Sequence, residues 1–310
     1  VLSRIAESLF WVGRYIERAE QTARILDVQF HRLLEDPWID EAAACASLLR
    51  AMGSPLAGDD GSQHALEVCE VLAYDAANPS SIVGALSAAR DNARGAREAI
   101  SGEMWECLNA TWYSLDAQVR AARALGPHEF FRFVKERVAV LNGLAGSTLS
   151  RDDGWRFLVV GGSLERADMT ARLLSALWSD PGGSPAWVTT LRCCSAHEAY
   201  LRTYRRAVDA SLVAEFLLLD RLFPRSVVYA LSAAEACLAE LDPASTRAGP
   251  GNDARRALGR ARTELEFRRV QELLDDLPAQ LARVQAACSE AASAVAARYF
   301  RHTAPIEWSA

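Results

Sequence analysis

Apolar residues recur at helical spacing almost everywhere along the chain, and strand-like alternation bounded by turn residues is nearly absent. The clearest run is Leu9, Val12, Ile16, Ala19, Ala23, Leu26, Phe30 and Leu33, in steps of three and four, closed by Asp36 and Pro37. Turn signals interrupt the pattern at Gly53 to Gly61, Asn78-Pro79, Gly126-Pro127, Gly146 to Gly154, Asp180 to Pro185, Phe223-Pro224 and Asp242 to Asp253. This predicts an all-α chain of about ten helices, several of them long. At Asn78-Pro79 the reading makes Asn78 an N-cap and Pro79 the first helical residue.

The chain also resembles itself. Gly13 to Leu26 (GRYIERAEQTARIL) aligns without gaps on Gly161 to Leu174 (GGSLERADMTARLL), 148 positions later, with eight of fourteen residues identical. A second block, Pro79 to Ala89 (PSSIVGALSAA), aligns on Pro224 to Ala234 (PRSVVYALSAA), 145 positions later, and Asp75 and Asp220 each stand four residues before the proline. Two ordered blocks at near-equal offsets imply a tandem duplication: a helical bundle of two pseudo-repeats, 1–145 and 146–310, packed about a pseudo-twofold axis into one body.

Within the repeated block the arginines sit where burial is expected. Arg18 points nearly opposite Ile16 on a helical wheel, yet Trp11 and Ile25 lie seven residues to either side of it, as Val159 and Leu173 do around Arg166. Each arginine therefore interrupts a second apolar stripe, and a buried guanidinium needs a carboxylate or a bound anion beside it. Glu17, Glu165, Asp75 and Asp220 are the internal candidates. Glu20 with Arg24 and Asp168 with Arg172 add pairs at i,i+4. Three readings stand: an ion-pair network locking two half-bundles, a clamp for an amino acid or short peptide, and an external protein interface. Further along, Trp105 follows an arginine row, Arg90, Arg94 and Arg97, that reads as a solvated face, with an anion-binding or partner face as the alternative.

Composition narrows the chemistry. Half the residues are apolar, and 34 basic against 40 acidic residues leave a net charge of -6, which argues against nonspecific binding to nucleic acid or an anionic membrane. No run of 18 apolar residues exists to span a bilayer, and no secretory leader is expected from the first residues. Seven scattered cysteines without a CxxC suit reduced thiols in a cytoplasm, and five histidines show neither an HExxH nor paired ligand spacing, so no metal or cofactor is expected. No nucleophile elbow or phosphate loop appears. The first residue is Val1, which leads to the expectation that the numbering begins inside a longer chain.

SRIAESLFWVGRYIERAEQTAR (Ser3 to Arg24), NPSSIVGALSAARDNAR (Asn78 to Arg94), EMWECLN (Glu103 to Asn109), DDGWRFLVVGGSLERADMTARLL (Asp152 to Leu174), LRCCSAHEAY (Leu191 to Tyr200) and EFLLLDRLFPRSV (Glu215 to Val227) together resemble the bacterial alpha-E proteins, helical domains called after a Glu-Arg motif. The resemblance covers nearly the whole chain. One departure stands out: the family's second copy usually carries Gly-Arg-Tyr before its motif, where this chain has Gly161-Gly162-Ser163, so whatever Arg14 and Tyr15 do is not repeated there.

The resemblance implies a gene context of circularly permuted ATP-grasp proteins, separate or fused upstream, and of transglutaminase-like peptidases. It suggests a cytoplasmic system that modifies peptides by forming amide bonds. The expected role is that of an accessory or substrate-binding partner without catalytic activity of its own. The residues expected to carry it are Glu17, Arg18, Glu165 and Arg166, supported by Arg14, Tyr15, Arg24, Arg172 and Trp105. The alternatives are an amide-forming enzyme using Glu17 or Glu165 as general base, and a scaffold whose Glu-Arg motifs are buried ion pairs.

Overall fold

A computed structural model describes residues 2–54, 64–179, 184–243 and 249–300. Among them there are fourteen α-helices and no strand, so the chain is all-α as the periodicity predicts. In order these are α1 Ser3–Glu35, α2 Glu41–Ala51, α3 Ala65–Cys69, α4 Ile82–Gly95, α5 Gly102–Leu125, α6 His128–Thr148, α7 Asp153–Ser179, α8 Ser184–Cys193, α9 His197–Tyr204, α10 Ala210–Leu219, α11 Val227–Leu241, α12 Asp253–Phe267, α13 Val270–Asp275 and α14 Leu277–Tyr299. The helices exceed the expected ten because short breaks such as 96–101 and 205–209 carry neither Pro nor Gly. The turns expected at Gly53 to Gly61, Asp180 to Pro185 and Asp242 to Asp253 lie partly outside the described residues.

α1, about 50 Å long at 1.5 Å per residue, and α7 form the centre and pack against each other. The remaining helices gather around them in matching order: α4 and α6 lean on α1 with α5 between them, and α11 and α14 lean on α7 with α12 between them. The residue boundary expected at 145/146 falls in the last turn of α6, and the helical break lies at 149–152.

Ser81 begins α4 by accepting the amide of Gly84 at 2.9 Å, and Ser226 begins α11 by accepting that of Tyr229 at 3.1 Å. The N-cap is therefore Ser81 rather than Asn78. The Asn78 side chain instead closes a turn by accepting the amide of Ser80, and Pro79 lies before the helix. Serine wins because its short hydroxyl also donates back to the carbonyl of Asp75, and Ser226 does likewise to Asp220.

Candidate functional site

The geometry begins with glycine. A Cβ placed on Gly13 would lie 2.1 Å from the carbonyl oxygen of Leu158, and one on Gly161 2.0 Å from that of Phe10. The two contacts are reciprocal, since Leu158 follows Phe10 by the same 148 positions that separate the glycines. Only residues without a side chain let α1 and α7 touch backbone to backbone here. One turn further along, the Glu-Arg pairs are brought within reach of the opposite helix.

Each arginine pairs across the crossing, not with its sequence neighbour. Arg18 Nε donates to Glu165 Oε1 at 2.6 Å and its Nη2 to Oε2 at 3.1 Å. Reciprocally, Arg166 Nε donates to Glu17 Oε1 at 2.9 Å and its Nη2 to Oε2. The Nη1 atoms reach outward to the second repeated block, donating to the carbonyl of Pro79 from Arg18 at 3.3 Å and to that of Pro224 from Arg166 at 3.4 Å. The two sequence blocks therefore meet in one network.

The second arginine on each glutamate comes from a different place. Arg14 Nε gives Glu165 a further bond at 2.7 Å, and Gly162 has no counterpart to offer. Glu17 instead receives Arg225 Nη1 at 3.2 Å, while Arg225 Nη2 donates to Glu20. Arg225 stands just before α11, where the first block has Ser80, and the sequence reading passed over it because nothing in its local pattern marks it. Gln21 completes Glu17 at 3.1 Å, Arg24 pairs with Glu20, and Arg172 with Asp168 at 2.8 Å. Tyr15 lies under Arg18, and Trp11 under Arg14.

Trp105 belongs to a different structure: its ring packs beside the guanidinium groups of Arg90 and Arg97. Arg90 itself is covered by Trp112, 4.5 Å from its ring, and donates to Asn109, so the expected solvated row is not solvated at that residue. Asp75 and Asp220, considered as counter-ions, are turn acceptors for the amides of Ala77 and of Leu222 and Phe223.

Glu17 and Glu165 are buried, whereas their arginines keep an edge exposed; Arg166 retains 23% of its side-chain surface. Burial alone would raise the Glu17 carboxyl, but Arg166 and Arg225 outweigh it and hold the group at about 2. Glu165 is likewise raised by burial and lowered further by Arg14 and Arg18, with a net downward shift. At Asp168 burial wins over Arg172 and the carboxyl titrates higher than usual. Four carboxylates (Glu17, Glu20, Glu165, Asp168) face six guanidinium groups (Arg14, Arg18, Arg24, Arg166, Arg172, Arg225), an excess of two positive charges. Beside the Glu17–Arg166 pair lies a cavity of about 250 Å³ that also exposes Asn142, Arg151, Trp155 and Ser163.

A second cluster escaped the sequence reading. Asp27, His31 and His128 converge, with one ligand atom from each within 4.8 Å of the others. The local signal was the i,i+4 spacing of Asp27 and His31 on α1; His128 arrives from the start of α6. The seven cysteines are all buried, free thiols.

The sequence model of the Alpha-E family, described as a predicted alpha-helical domain with a conserved ER motif, matches residues 1–300. The uncharacterized proteins Mb2597 of Mycobacterium bovis and MT2643 of Mycobacterium tuberculosis are each 27% identical over 311 aligned positions, and Rv2567 of Mycobacterium tuberculosis is 26% identical. Each alignment covers 91% of this chain and 35% of the relative, so the chain spans about a third of the length of the curated relatives it matches. No solved structure matches it. Among the described residues no helix is long and apolar enough to cross a membrane.

Proposed function

The chain belongs to the Alpha-E family, and from that premise we propose that it is a noncatalytic helical partner in a cytoplasmic, ATP-grasp-linked system that forms amide bonds on peptides. Its Glu-Arg motifs act as the lock that holds the two halves in register. One observation carries this reading: all four carboxylate oxygens of Glu17 and Glu165 are already taken by arginine. A carboxylate so held is a poor general base, and with Glu17 at about 2 it stays ionised and weakly basic near neutrality. That weighs against catalysis by the motif itself. The relatives' greater length fits a unit that works inside, or alongside, a larger protein.

A second reading has its own observation. The cavity beside Arg166, about 250 Å³, lies just below the volumes of drug-sized ligand sites, which start at about 300 Å³, and the excess positive charge of the cluster favours a small ligand with an anionic end group. A single amino acid or the carboxyl end of a short peptide fits that description.

The test measures complex formation with, and ATP hydrolysis by, an ATP-grasp protein encoded beside this chain, with amino-acid and peptide pools. Stimulation by wild type, retained per folded molecule in Arg18→Ala and Arg225→Ala, supports a partner whose motif is structural. Loss of stimulation in variants that remain fully folded moves the function into the motif, as the clamp reading requires. Absence of both complex and stimulation sinks the partner role, and turnover by the chain alone restores the enzyme.

A further inference from the structure

We propose that Asp27, His31 and His128 form a binding site for one divalent transition-metal ion of the zinc class, with an open coordination position facing solvent. The site is remote in role from the Glu-Arg lock and does not depend on the function proposed above.

The donor set is two imidazoles and one carboxylate, the combination that suits zinc and its neighbours in the first transition row. Zinc bonds of about 2.0 to 2.1 Å in tetrahedral array put adjacent ligand atoms about 3.3 to 3.4 Å apart. Asp27 Oδ1 lies 3.4 Å from His31 Nδ1 and 2.7 Å from His128 Nδ1. The first separation already fits, and the second requires an opening of about 0.6 Å, which the half-exposed His128 side chain can supply by rotating. The two rings meet edge to face with centroids 4.7 Å apart, and one ligand atom from each of the three residues lies within 4.8 Å of the others.

The surroundings prepare this set. Asp27 is buried, and its other oxygen, Oδ2, accepts from Lys135 Nζ at 2.5 Å, which fixes the carboxylate and leaves Oδ1 to the imidazoles. Hydrogen-bonded anchoring of a ligand carboxylate is the support that metal sites commonly use. His31 Nδ1 donates to the carbonyl of Asp27 at 2.8 Å. Metal entry moves that proton to Nε2, on a ring that is half exposed and free to hydrogen-bond with water. Three protein ligands and a solvent-facing fourth position match exchangeable or catalytic zinc sites better than closed structural ones.

The experiment uses the full chain, stripped by chelator and dialysed. Zn²⁺ is titrated calorimetrically, and Co²⁺ is added as a spectroscopic probe. The expected result is one ion per chain and the strong visible absorption of four-coordinate Co²⁺, both lost in His31→Ala and in His128→Ala and retained in His197→Ala. Circular dichroism confirms that the variants remain folded; both histidines are half exposed, so truncation leaves the core untouched. Asp27→Asn weakens binding more than it changes the spectrum of the residual complex. Wild type binding no tighter than the His31→Ala and His128→Ala variants, or a weak octahedral Co²⁺ spectrum in wild type, overturns the proposal.

Discussion

Replacing Gly13 by alanine is the sharpest test of the α1–α7 crossing. The added Cβ would lie 2.1 Å from the carbonyl oxygen of Leu158. Ordinary contact begins near 3.4 Å, so the helices must separate locally by about 1.3 Å, and the oxygen is backbone that cannot swing aside. Ion pairs one turn away, at 2.6 and 2.9 Å, then stretch past hydrogen-bonding reach. Overpacking costs about 1 to 3 kcal/mol, and breaking a buried pair adds about 3 to 5 kcal/mol. Alanine's better helix propensity returns only about 1 kcal/mol. The expected outcome is a loss of about 3 kcal/mol or more, read from urea unfolding followed by circular dichroism. Gly161→Ala is expected to match it, because its contact with Phe10 is the reciprocal one. Gly143→Ala is the control: it lies in α6 with nothing within 4 Å, so only the propensity acts and stability rises by up to about 1 kcal/mol. A Gly13→Ala protein as stable as wild type would refute the close crossing and the lock built upon it.

Acid should loosen the lock in a defined window. Glu17 titrates near 2 in the folded chain and near 4.5 in its ordinary state, so the unfolded chain binds the proton first. The stability it contributes is complete above about pH 4.5 and is lost as pH falls toward about 2; Glu165 acts in the same direction, and Asp168, raised by burial, in the opposite one. Urea midpoints measured down this range should fall more steeply for wild type than for Glu17→Gln, and parallel curves would contradict the assignment. The thiols give an independent check on packing: burial pushes Cys45 and Cys237 up to about 11 and Cys69 and Cys194 up to about 12, and raises Cys193 and Cys288 as well. A thiol reagent should find almost no reactive cysteine in the native chain and all seven after denaturation; rapid labelling of Cys194 in native protein would show that the core around Arg225 opens.

Much of the architecture was legible because it is local. The three-and-four spacing from Leu9 to Leu33 fixed α1, and the Asp36-Pro37 stop placed its end at Glu35. The apolar residues flanking Arg18 and Arg166 marked those arginines as needing partners, and the structure supplies them. The repeated Gly13 and Gly161 were visible as letters, although their purpose, a backbone crossing, was not. At α4 the local pattern favours Asn78 as the cap because proline's fixed geometry suits the first helical turn, whereas the helix start depends on Ser81, whose hydroxyl also reaches the preceding turn.

The sequence by itself determined the helical class, the long central segments and the identity of the Glu-Arg residues, because i,i+3 and i,i+4 periodicity and burial demand are properties of short stretches. Only packing settles that Arg18 reaches Glu165 and Arg166 reaches Glu17, that Arg225 joins Arg166 on Glu17, and that His128 joins Asp27 and His31. The physical reason is range. Helix formation is settled within one or two turns, whereas a charge or a ligand atom is satisfied by whatever lies within about 3 Å, and residues separated by 101 to 208 positions meet at that distance only once the helices have packed.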